Sequence, residues 1–275
     1  MNNVATLEKL KTMKLYGMER TFRTLIEFSQ NRGLSSGELI AMLADAEFDD
    51  RHHRRTQRLV KNALFRNRAS FPTIDFSLDR GLDRTEFLRL ADCSWIKTAK
   101  TIIIAGPTGI GKSFLAQALG SQACAEGYRT LYFNGAKLFQ AFKDKRASNG
   151  YQRFVARIAR TPLLILDDFG IAPLDSQDRL ALLEIIEDRL GRNATIIATQ
   201  IPVAQWFDVI GDPTIADAIC DRIVPQALRI NLSGKSVRAI HGLQGDYPSG
   251  FRAAPPAPSQ NSAIQAELPN NKISS

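Results

Sequence analysis

The segment GPTGIGKS at residues 106–113 constrains the fold more than any other part of the chain. Gly106, Gly111, Lys112 and Ser113 occupy the fixed positions of the phosphate-binding loop pattern G-x-x-x-x-G-K-[ST]. The apolar run TIIIA precedes the segment, and an amphipathic helical pattern, SFLAQALGSQACAEG, overlaps its last residue and continues beyond it. Glycines let the backbone N–H groups turn towards a phosphate, and the N-terminus of the following helix adds partial positive charge. The segment therefore predicts a strand, a nucleotide-binding loop and a helix.

Each polar residue of this loop has an expected role. Lys112 would reach the β- and γ-phosphates, where it also serves catalysis, and the Ser113 hydroxyl would be a ligand of Mg²⁺. The Asn-Lys-x-Asp motif of guanine-binding proteins does not occur in the sequence, which favours ATP. The alternative is a glycine-rich turn with an exposed lysine. The residues predicted to contact the nucleotide in this loop are Gly106, Pro107, Thr108, Gly109, Ile110, Gly111, Lys112 and Ser113.

A second motif, LLILDDFG at residues 163–170, places two carboxylates directly after four apolar residues. Ligands of open α/β sheets bind beyond the carboxyl ends of the strands. Asp167 would hold Mg²⁺ directly or through water, and Asp168 would orient or deprotonate the attacking water. The alternative interpretation is an acidic turn between a strand and a loop.

The pattern of apolar residues divides the chain into four parts. Residues 1–68 show helical spacing and predict a small all-helical N-terminal domain, and residues 69–100 predict a linker packed on the core. Apolar runs at 101–105, 130–133, 163–166, 195–198 and 227–232 alternate with helical patterns, which predicts an α/β core at 101–247 with a parallel sheet and flanking helices. Residues 248–275 are rich in Pro, Ala, Ser and Asn and predict a disordered tail.

Charge and composition limit the partners. The formal net charge is +8, which suits a phosphate-rich partner such as nucleic acid or a membrane surface. No apolar run approaches the roughly 18 residues that span a bilayer, and the first residues lack the apolar stretch of a signal peptide. Three widely spaced cysteines show no metal-binding pattern. We therefore expect a cytoplasmic protein without a membrane partner.

Two clusters of basic residues are candidates for contacts with the DNA backbone. The segment at 51–68 contains seven Arg or Lys residues and no acid, and helical spacing predicts a basic face opposite Leu59, Val60, Ala63 and Leu64. A solvated helix is the alternative. Neither cluster contains a base-reading motif, so binding to double-stranded DNA is expected to be largely independent of sequence. The predicted contacts are Arg51, Arg54, Arg55, Arg58 and Lys61 in the first cluster, with Arg66 and Arg68 on the same face, and Lys143, Lys145 and Arg146 in the second.

The order of the motifs resembles the AAA+ initiator clade, which includes the DnaC helicase loaders and the IstB transposition helpers. The resemblance covers about residues 69–240, and the segments TIIATQIPVAQW, IADAICDRIV and ALRINLSGKSVR favour IstB. It implies that Thr199 and Gln200 lie beside the γ-phosphate, that Arg222 is an arginine finger reaching a neighbouring subunit, and that Arg238 is a sensor-two arginine. A surface salt bridge is the alternative for Arg222. Lys235 departs from the family pattern, which has a glutamate there.

The resemblance implies an ATPase that serves DNA transposition. Such a helper would form a homo-oligomer on DNA through shared ATP sites and engage a cognate transposase, with ATP hydrolysis controlling assembly. A replicative helicase loader of the DnaC type is the alternative. A small-molecule kinase is disfavoured by the acidic pair and by Arg222. A DNA-binding scaffold with slow ATP turnover stays open, because Asp168 is shorter than the glutamate common in AAA+ proteins.

Overall fold

A computed structural model describes residues 2–27 and 33–237. Arg238 and the predicted tail at 248–275 lie outside the described residues. The helices are α1 Asn3–Thr12, α2 Tyr16–Glu27, α3 Ser36–Ala63, α4 Arg84–Arg89, α5 Ser94–Lys97, α6 Lys112–Ala125, α7 Gly135–Ala147, α8 Tyr151–Ala159, α9 Ser176–Arg189, α10 Trp206–Ile210 and α11 Pro213–Ile223. The strands are β1 Thr101–Ala105, β2 Thr130–Asn134, β3 Leu163–Phe169, β4 Ala194–Thr199 and β5 Leu228–Asn231. Short 3₁₀ turns occupy Phe71–Thr73, Leu90–Asp92 and Val203–Gln205.

The five strands form one parallel sheet in the order β2-β3-β4-β1-β5, which confirms the predicted α/β class. Strand β1 lies between β4 and β5, so the loop that follows it emerges inside the sheet and not at an edge. Strand β3 extends through Phe169 and thus includes both predicted carboxylates. The order brings the ends of β1, β3 and β4 together at one edge.

Helices cover both faces of the sheet, as the continuous apolar strands predict. Ile102 and Ile104 of β1 belong to a core shared with α6 and with buried residues of the preceding segment, including Phe87 and Trp95. Ile103 belongs to the opposite core, which is shared with α7 to α11. Alternate residues of one strand therefore face two separate hydrophobic layers.

The N-terminal part is helical, as predicted. Helix α3 begins with a capping box in which Ser35 accepts a hydrogen bond from the backbone of Glu38 and the Glu38 carboxylate accepts one from the backbone of Ser35. Helices α2 and α3 approach so closely that a Cβ added to Gly17 would lie 2.2 Å from the carbonyl oxygen of Ala46. The contact requires glycine at position 17.

The predicted basic helix is shorter than expected. Helix α3 ends at Ala63 and Leu64 adopts a left-handed conformation, so Arg66 and Arg68 do not continue its basic face. The predicted apolar face is also wrong in part. Leu59 and Ala63 are buried, whereas Val60 is 36% exposed and Leu64 is 73% exposed. The chain turns at Leu64 because Phe65 packs against the buried cluster of Leu59, Ala63 and Cys124 instead of extending the helix.

Among residues 2–27 and 33–237, no helix is both long and apolar enough to cross a bilayer.

Candidate nucleotide-binding site

The loop between β1 and α6 has the backbone that the glycine pattern predicts. Gly106, Gly109 and Gly111 have φ values of +153°, +80° and +100°. A Cβ added to Gly106 would lie 2.5 Å from the carbonyl oxygen of Leu232. Glycine is therefore required both by conformation and by the close approach of the chain after β5.

Lys112 and Ser113 begin α6 and lie at the centre of the site. Lys112 is 6% exposed, and its ammonium group donates a hydrogen bond of 2.8 Å to the carbonyl oxygen of Pro107. The Ser113 hydroxyl donates a hydrogen bond of 2.8 Å to Oδ1 of Asp167. The structure therefore brings together the phosphate-binding loop and the end of β3, as the two motifs predict.

Asp167 is the most enclosed carboxylate of the site, with 1% of its surface exposed. It accepts hydrogen bonds from the Tyr132 hydroxyl at 2.6 Å, from Ser113 and from the backbone N–H of Asp168 at 3.0 Å. Burial raises the pKa of Asp167, while the hydrogen bonds from Tyr132 and Ser113 oppose the shift. A buried carboxylate next to a serine hydroxyl is a set of hard oxygen ligands that fits a magnesium ion.

Asp168 lies at an irregularity in the pairing of β3 with β4, between Leu166 and Phe169. Its φ is +57°, in the left-handed region. The Asn134 side chain donates a hydrogen bond of 2.8 Å to Oδ2 of Asp168. The two adjacent carboxylates are therefore held by different partners: Asp167 by α6 and β2 together, and Asp168 by the last residue of β2.

The end of β4 meets the same loop. Thr199 is fully buried, and its hydroxyl donates to the carbonyl oxygen of Phe169 at 3.0 Å and accepts from the backbone of Ile201 at 3.0 Å. This hydroxyl joins β4 to β3. The side chain of Gln200 accepts a hydrogen bond from the Thr108 hydroxyl of the phosphate-binding loop. The structure thus places Gln200 beside the phosphate-binding loop.

Arg222 lies on α11, where it forms an ion pair of 2.8 Å with Glu187 of α9 and donates to the carbonyl oxygen of Ala218 at 2.7 Å. Among the described residues, these polar contacts are with α9 and α11 and not with the phosphate-binding loop. Arg222 therefore forms a surface salt bridge between α11 and α9 in the single chain.

Three side chains at the site were missed by sequence reasoning: Arg80, Tyr132 and Asn134. Tyr132 and Asn134 lie on β2, and Asn134 pairs directly with Asp167 in the parallel register. Their positions could have been inferred once β2 was placed beside β3. Arg80 lies in the segment before the core and is 4% exposed. No motif at Arg80 indicates that it is close to Gly111.

The first two arginines of the predicted DNA-binding cluster are paired with acids one turn earlier. Arg51 donates to Glu47 at 2.7 Å, and Arg54 donates to Asp50 at 2.6 Å. Hydrogen bonds from Arg20 and Arg54 lower the pKa of Asp50. The segment 51–68 contains no acid, but its basic face begins next to two buried carboxylates.

The other predicted DNA contacts differ in their surroundings. Arg55 donates to the carbonyl oxygen of Gly127 at 3.2 Å. Within the described part of the chain, the side chains of Arg58, Lys61 and Lys145 make no hydrogen bond or ion pair and are exposed.

The second cluster is partly tied to α9. Lys143 pairs with Asp175 at 2.8 Å and Asp178 at 3.5 Å, and Arg146 donates to the carbonyl oxygen of Gln177 at 2.9 Å. The Arg146 guanidinium also lies over the Tyr151 ring, with its Cζ 4.6 Å from the ring centroid. Of this cluster, Lys145 is the one residue whose side chain makes no hydrogen bond or ion pair with the described residues.

Comparison with known proteins agrees with these motifs. The family model for IstB-like ATP binding proteins matches residues 8–245. An insertion sequence ATP-binding protein of Sinorhizobium fredii is 42% identical over 233 residues, covering 85% of this chain and 95% of the relative. An insertion sequence IS1162 ATP-binding protein of Pseudomonas fluorescens is 34% identical over 198 residues, covering 72% of this chain and 86% of the relative.

Solved structures support the fold. The DnaI crystal structure superposes with a TM-score of 0.52 at 20% identity, covering 64% of this chain and 93% of DnaI. AMPPCP-bound DnaA from Aquifex aeolicus superposes with a TM-score of 0.54 at 18% identity, covering 69% of this chain and 58% of DnaA. With the phosphate-binding loop, the paired carboxylates and the family match in place, the chain belongs to the IstB-like ATP binding protein family and is an ATPase with the AAA+ fold.

Proposed function

We propose that the protein is an ATP-dependent helper for DNA transposition that works in the cytoplasm. It binds Mg²⁺ and ATP, assembles on double-stranded DNA as a homo-oligomer, and engages a cognate transposase, and ATP hydrolysis ends the assembly. The observation that carries the proposal is the network joining Ser113, Asp167 and Tyr132, in a chain 42% identical to an insertion sequence ATP-binding protein. DnaI and DnaA share only the fold at their low identity, so no observation favours a helicase loader.

The proposed chemistry uses the two carboxylates differently. Ser113 and Asp167 would hold Mg²⁺, which would neutralise charge on the β- and γ-phosphates. Lys112 would bind the same phosphates after leaving the carbonyl oxygen of Pro107. Asp168 would accept a proton from the attacking water, with its carboxylate oriented by Asn134.

The nucleotide would also be sensed by the end of β4. Oε1 of Gln200 accepts a hydrogen bond from the Thr108 hydroxyl of the loop, so a γ-phosphate at the loop would compete with Gln200 for that hydroxyl. Thr199 would act through the backbone that its buried hydroxyl fixes. Arg238 stays a proposed sensor-two residue, since it lies outside the described residues.

Oligomer formation is proposed to depend on Arg222. Its partner Glu187 is half-exposed, so the ion pair is at the surface and is worth at most about 1 kcal/mol. A phosphate presented by a neighbouring subunit would be a stronger acceptor for a guanidinium. If Arg222 exchanged Glu187 for the ATP of a neighbouring subunit, nucleotide binding would be coupled to assembly.

The exposed cations support a DNA partner. A groove of about 770 Å³ lies between the end of α3 and the starts of β2 and β3, and none of the described residues that line it carries a carboxylate. Four of its lining residues are cations, and none of these side chains makes a hydrogen bond or ion pair with the described residues. They are Lys61, Arg129, Arg157 and Arg160. Because Arg51 and Arg54 are already paired with acids, we propose that DNA phosphates contact this groove together with Arg58.

A reconstituted assay tests the proposed function. The purified protein, a duplex and the cognate transposase are mixed with ATP, with ADP or without nucleotide, and transposase retained on the DNA is measured. We expect the transposase to be retained on the DNA with ATP, but not with ADP or without nucleotide. Lys112→Ala should weaken ATP binding at least about tenfold and abolish retention, because it removes a charge-assisted contact. Lys137→Ala, an exposed lysine on α7, is the matched control. Equal transposase retention with and without ATP would contradict the proposal.

A further inference from the structure

Arg80 is a buried cation placed directly against the phosphate-binding loop. It is 4% exposed, although it lies in the segment before the sheet and not in the loop itself. A Cβ added to Gly111 would lie 2.8 Å from Nη1 of Arg80, so the guanidinium touches the residue that caps α6. The first N–H groups of that helix are the expected phosphate donors. A second positive group therefore lies at the phosphate end of the site.

The hydrogen bonding of Arg80 is incomplete. Its Nη2 donates to the carbonyl oxygen of Asp75 at 2.8 Å, while its buried Nε has no hydrogen-bond partner among the described residues. Burial lowers the pKa of Arg80, and the charge of Asp75 opposes this shift only in part. An enclosed guanidinium with an unsatisfied N–H is costly unless an acceptor reaches it.

The backbone around Arg80 is held in place by the chain that follows β5. The backbone N–H of Ser233 donates to the carbonyl oxygen of Arg80 at 3.0 Å, and a Cβ added to Gly234 would lie 2.7 Å from the carbonyl oxygen of Asp79. A few residues later, Val237 donates to the carbonyl oxygen of Gly109 at 3.0 Å. One segment therefore positions both Arg80 and the phosphate-binding loop before any ligand arrives.

We propose that Arg80 binds the phosphate groups of the nucleotide in its own chain, as a second cation beside Lys112. Nη1, the guanidinium nitrogen nearest to Gly111, would donate a charge-assisted hydrogen bond to a phosphate oxygen. This inference rests on the proposed ATP site, and it adds a residue that lies 26 positions before Gly106, the first residue of the loop motif.

Binding measurements on the full chain test the inference. Fluorescent ATP and ADP are titrated against Arg80→Gln with Mg²⁺ present, and Arg84→Gln serves as the matched control because Arg84 is exposed and lies over the Phe76 ring. We expect Arg80→Gln to lose about tenfold or more in affinity for both nucleotides, the usual effect of losing a charge-assisted hydrogen bond. Arg84→Gln should bind like the wild type.

Thermal unfolding separates binding from a structural role. Without nucleotide, Arg80→Gln should unfold at the same temperature as the wild type or higher, because it removes a buried charge. Saturating ATP should raise that temperature less than in the wild type. A lower unfolding temperature together with unchanged nucleotide affinity would overturn the inference in favour of a structural role. Where Arg80→Gln fails to fold, Arg80→Met is measured, because methionine keeps an aliphatic side chain of similar length without a charge or a donor; wild-type affinity in that variant also overturns the inference.

Lys112→Ala keeps this test distinct from that of the ATP site. If Lys112→Ala loses nucleotide binding while Arg80→Gln binds like the wild type, the role of Arg80 is refuted and the ATP site stands. Full binding in Lys112→Ala would instead remove the proposed ATP site.

Discussion

The basic groove at the end of α3 gives a quantitative prediction for DNA binding. Arg157 and Arg160 lie at the C-terminal end of α8, are exposed and make no side-chain hydrogen bond or ion pair with the described residues. Each phosphate contact that is lost lowers the slope of log affinity against log salt concentration by about 0.9. Replacing both arginines by glutamine should therefore lower the slope by about 1.8, if each contacts one phosphate.

The arginines of α3 should behave differently. Arg51 and Arg54 donate to the buried carboxylates of Glu47 and Asp50, so their charge is largely balanced within the protein. The double variant Arg51→Gln, Arg54→Gln should therefore lower the salt slope by clearly less than the double variant Arg157→Gln, Arg160→Gln, which is the groove variant. The same pair of substitutions should lower thermal stability, because buried Glu47 loses its ion pairs and buried Asp50 keeps only the pair with Arg20.

Fluorescence anisotropy with two unrelated duplexes, in salt from roughly 50 to 200 mM, measures these slopes. The matched control is Arg153→Gln with Arg192→Gln, which makes the same charge change at exposed arginines outside the groove. Similar losses on both duplexes are expected, because phosphate contacts carry no base information. Equal slopes for the wild type and the groove variant, with the control also unchanged, would refute the groove as the DNA contact.

Three further outcomes are expected. Asp168→Asn should bind ATP with near-normal affinity and lose turnover in a phosphate-release assay, and normal turnover would show that Asp168 is not the base. Arg222→Ala should bind ATP yet fail to hydrolyse it, and mixing it with Asp168→Asn should recover part of the activity; no recovery at any ratio, with assembly confirmed by sedimentation, would contradict a shared site. The thermal stability of Arg222→Ala should change little, since the ion pair of Arg222 with Glu187 is at the surface. Gly17→Ala should lower the free energy of unfolding in urea by about 1–3 kcal/mol, because its Cβ would overlap the carbonyl of Ala46; an unchanged midpoint would show that α2 and α3 can separate freely.

The motifs that sequence predicts well are those whose chemistry is local. The loop at 106–113 and the strand ending in Asp167 depend on neighbouring residues, and the structure places them together. The ion pairs of Arg51 and Arg54 with Glu47 and Asp50 are also local, since each pair is four residues apart on one helix. Helical spacing could have revealed them if the acids before residue 51 had been included.

The contacts that sequence did not predict join distant segments. Periodicity shows which side of a strand is buried, but not that Tyr132 faces the carboxylate of Asp167 from the adjacent strand. Arg80 has no periodic or motif signal, because its position depends on the packing of the chain after β5. The end of α3 at Ala63 was missed because charge continues through Arg68 while the backbone turns at Leu64.

The left-handed backbone of Asp168 limits which acid can stand there. Aspartate and asparagine tolerate positive φ better than most side chains, because their short polar groups can bond locally. A glutamate at this position would add backbone strain of about 1 kcal/mol, and its extra methylene would move the carboxylate away from Asn134. The pairing irregularity of β3 thus couples the choice of acid to the shape of the strand, so lengthening that side chain without reshaping the strand should slow hydrolysis instead of accelerating it.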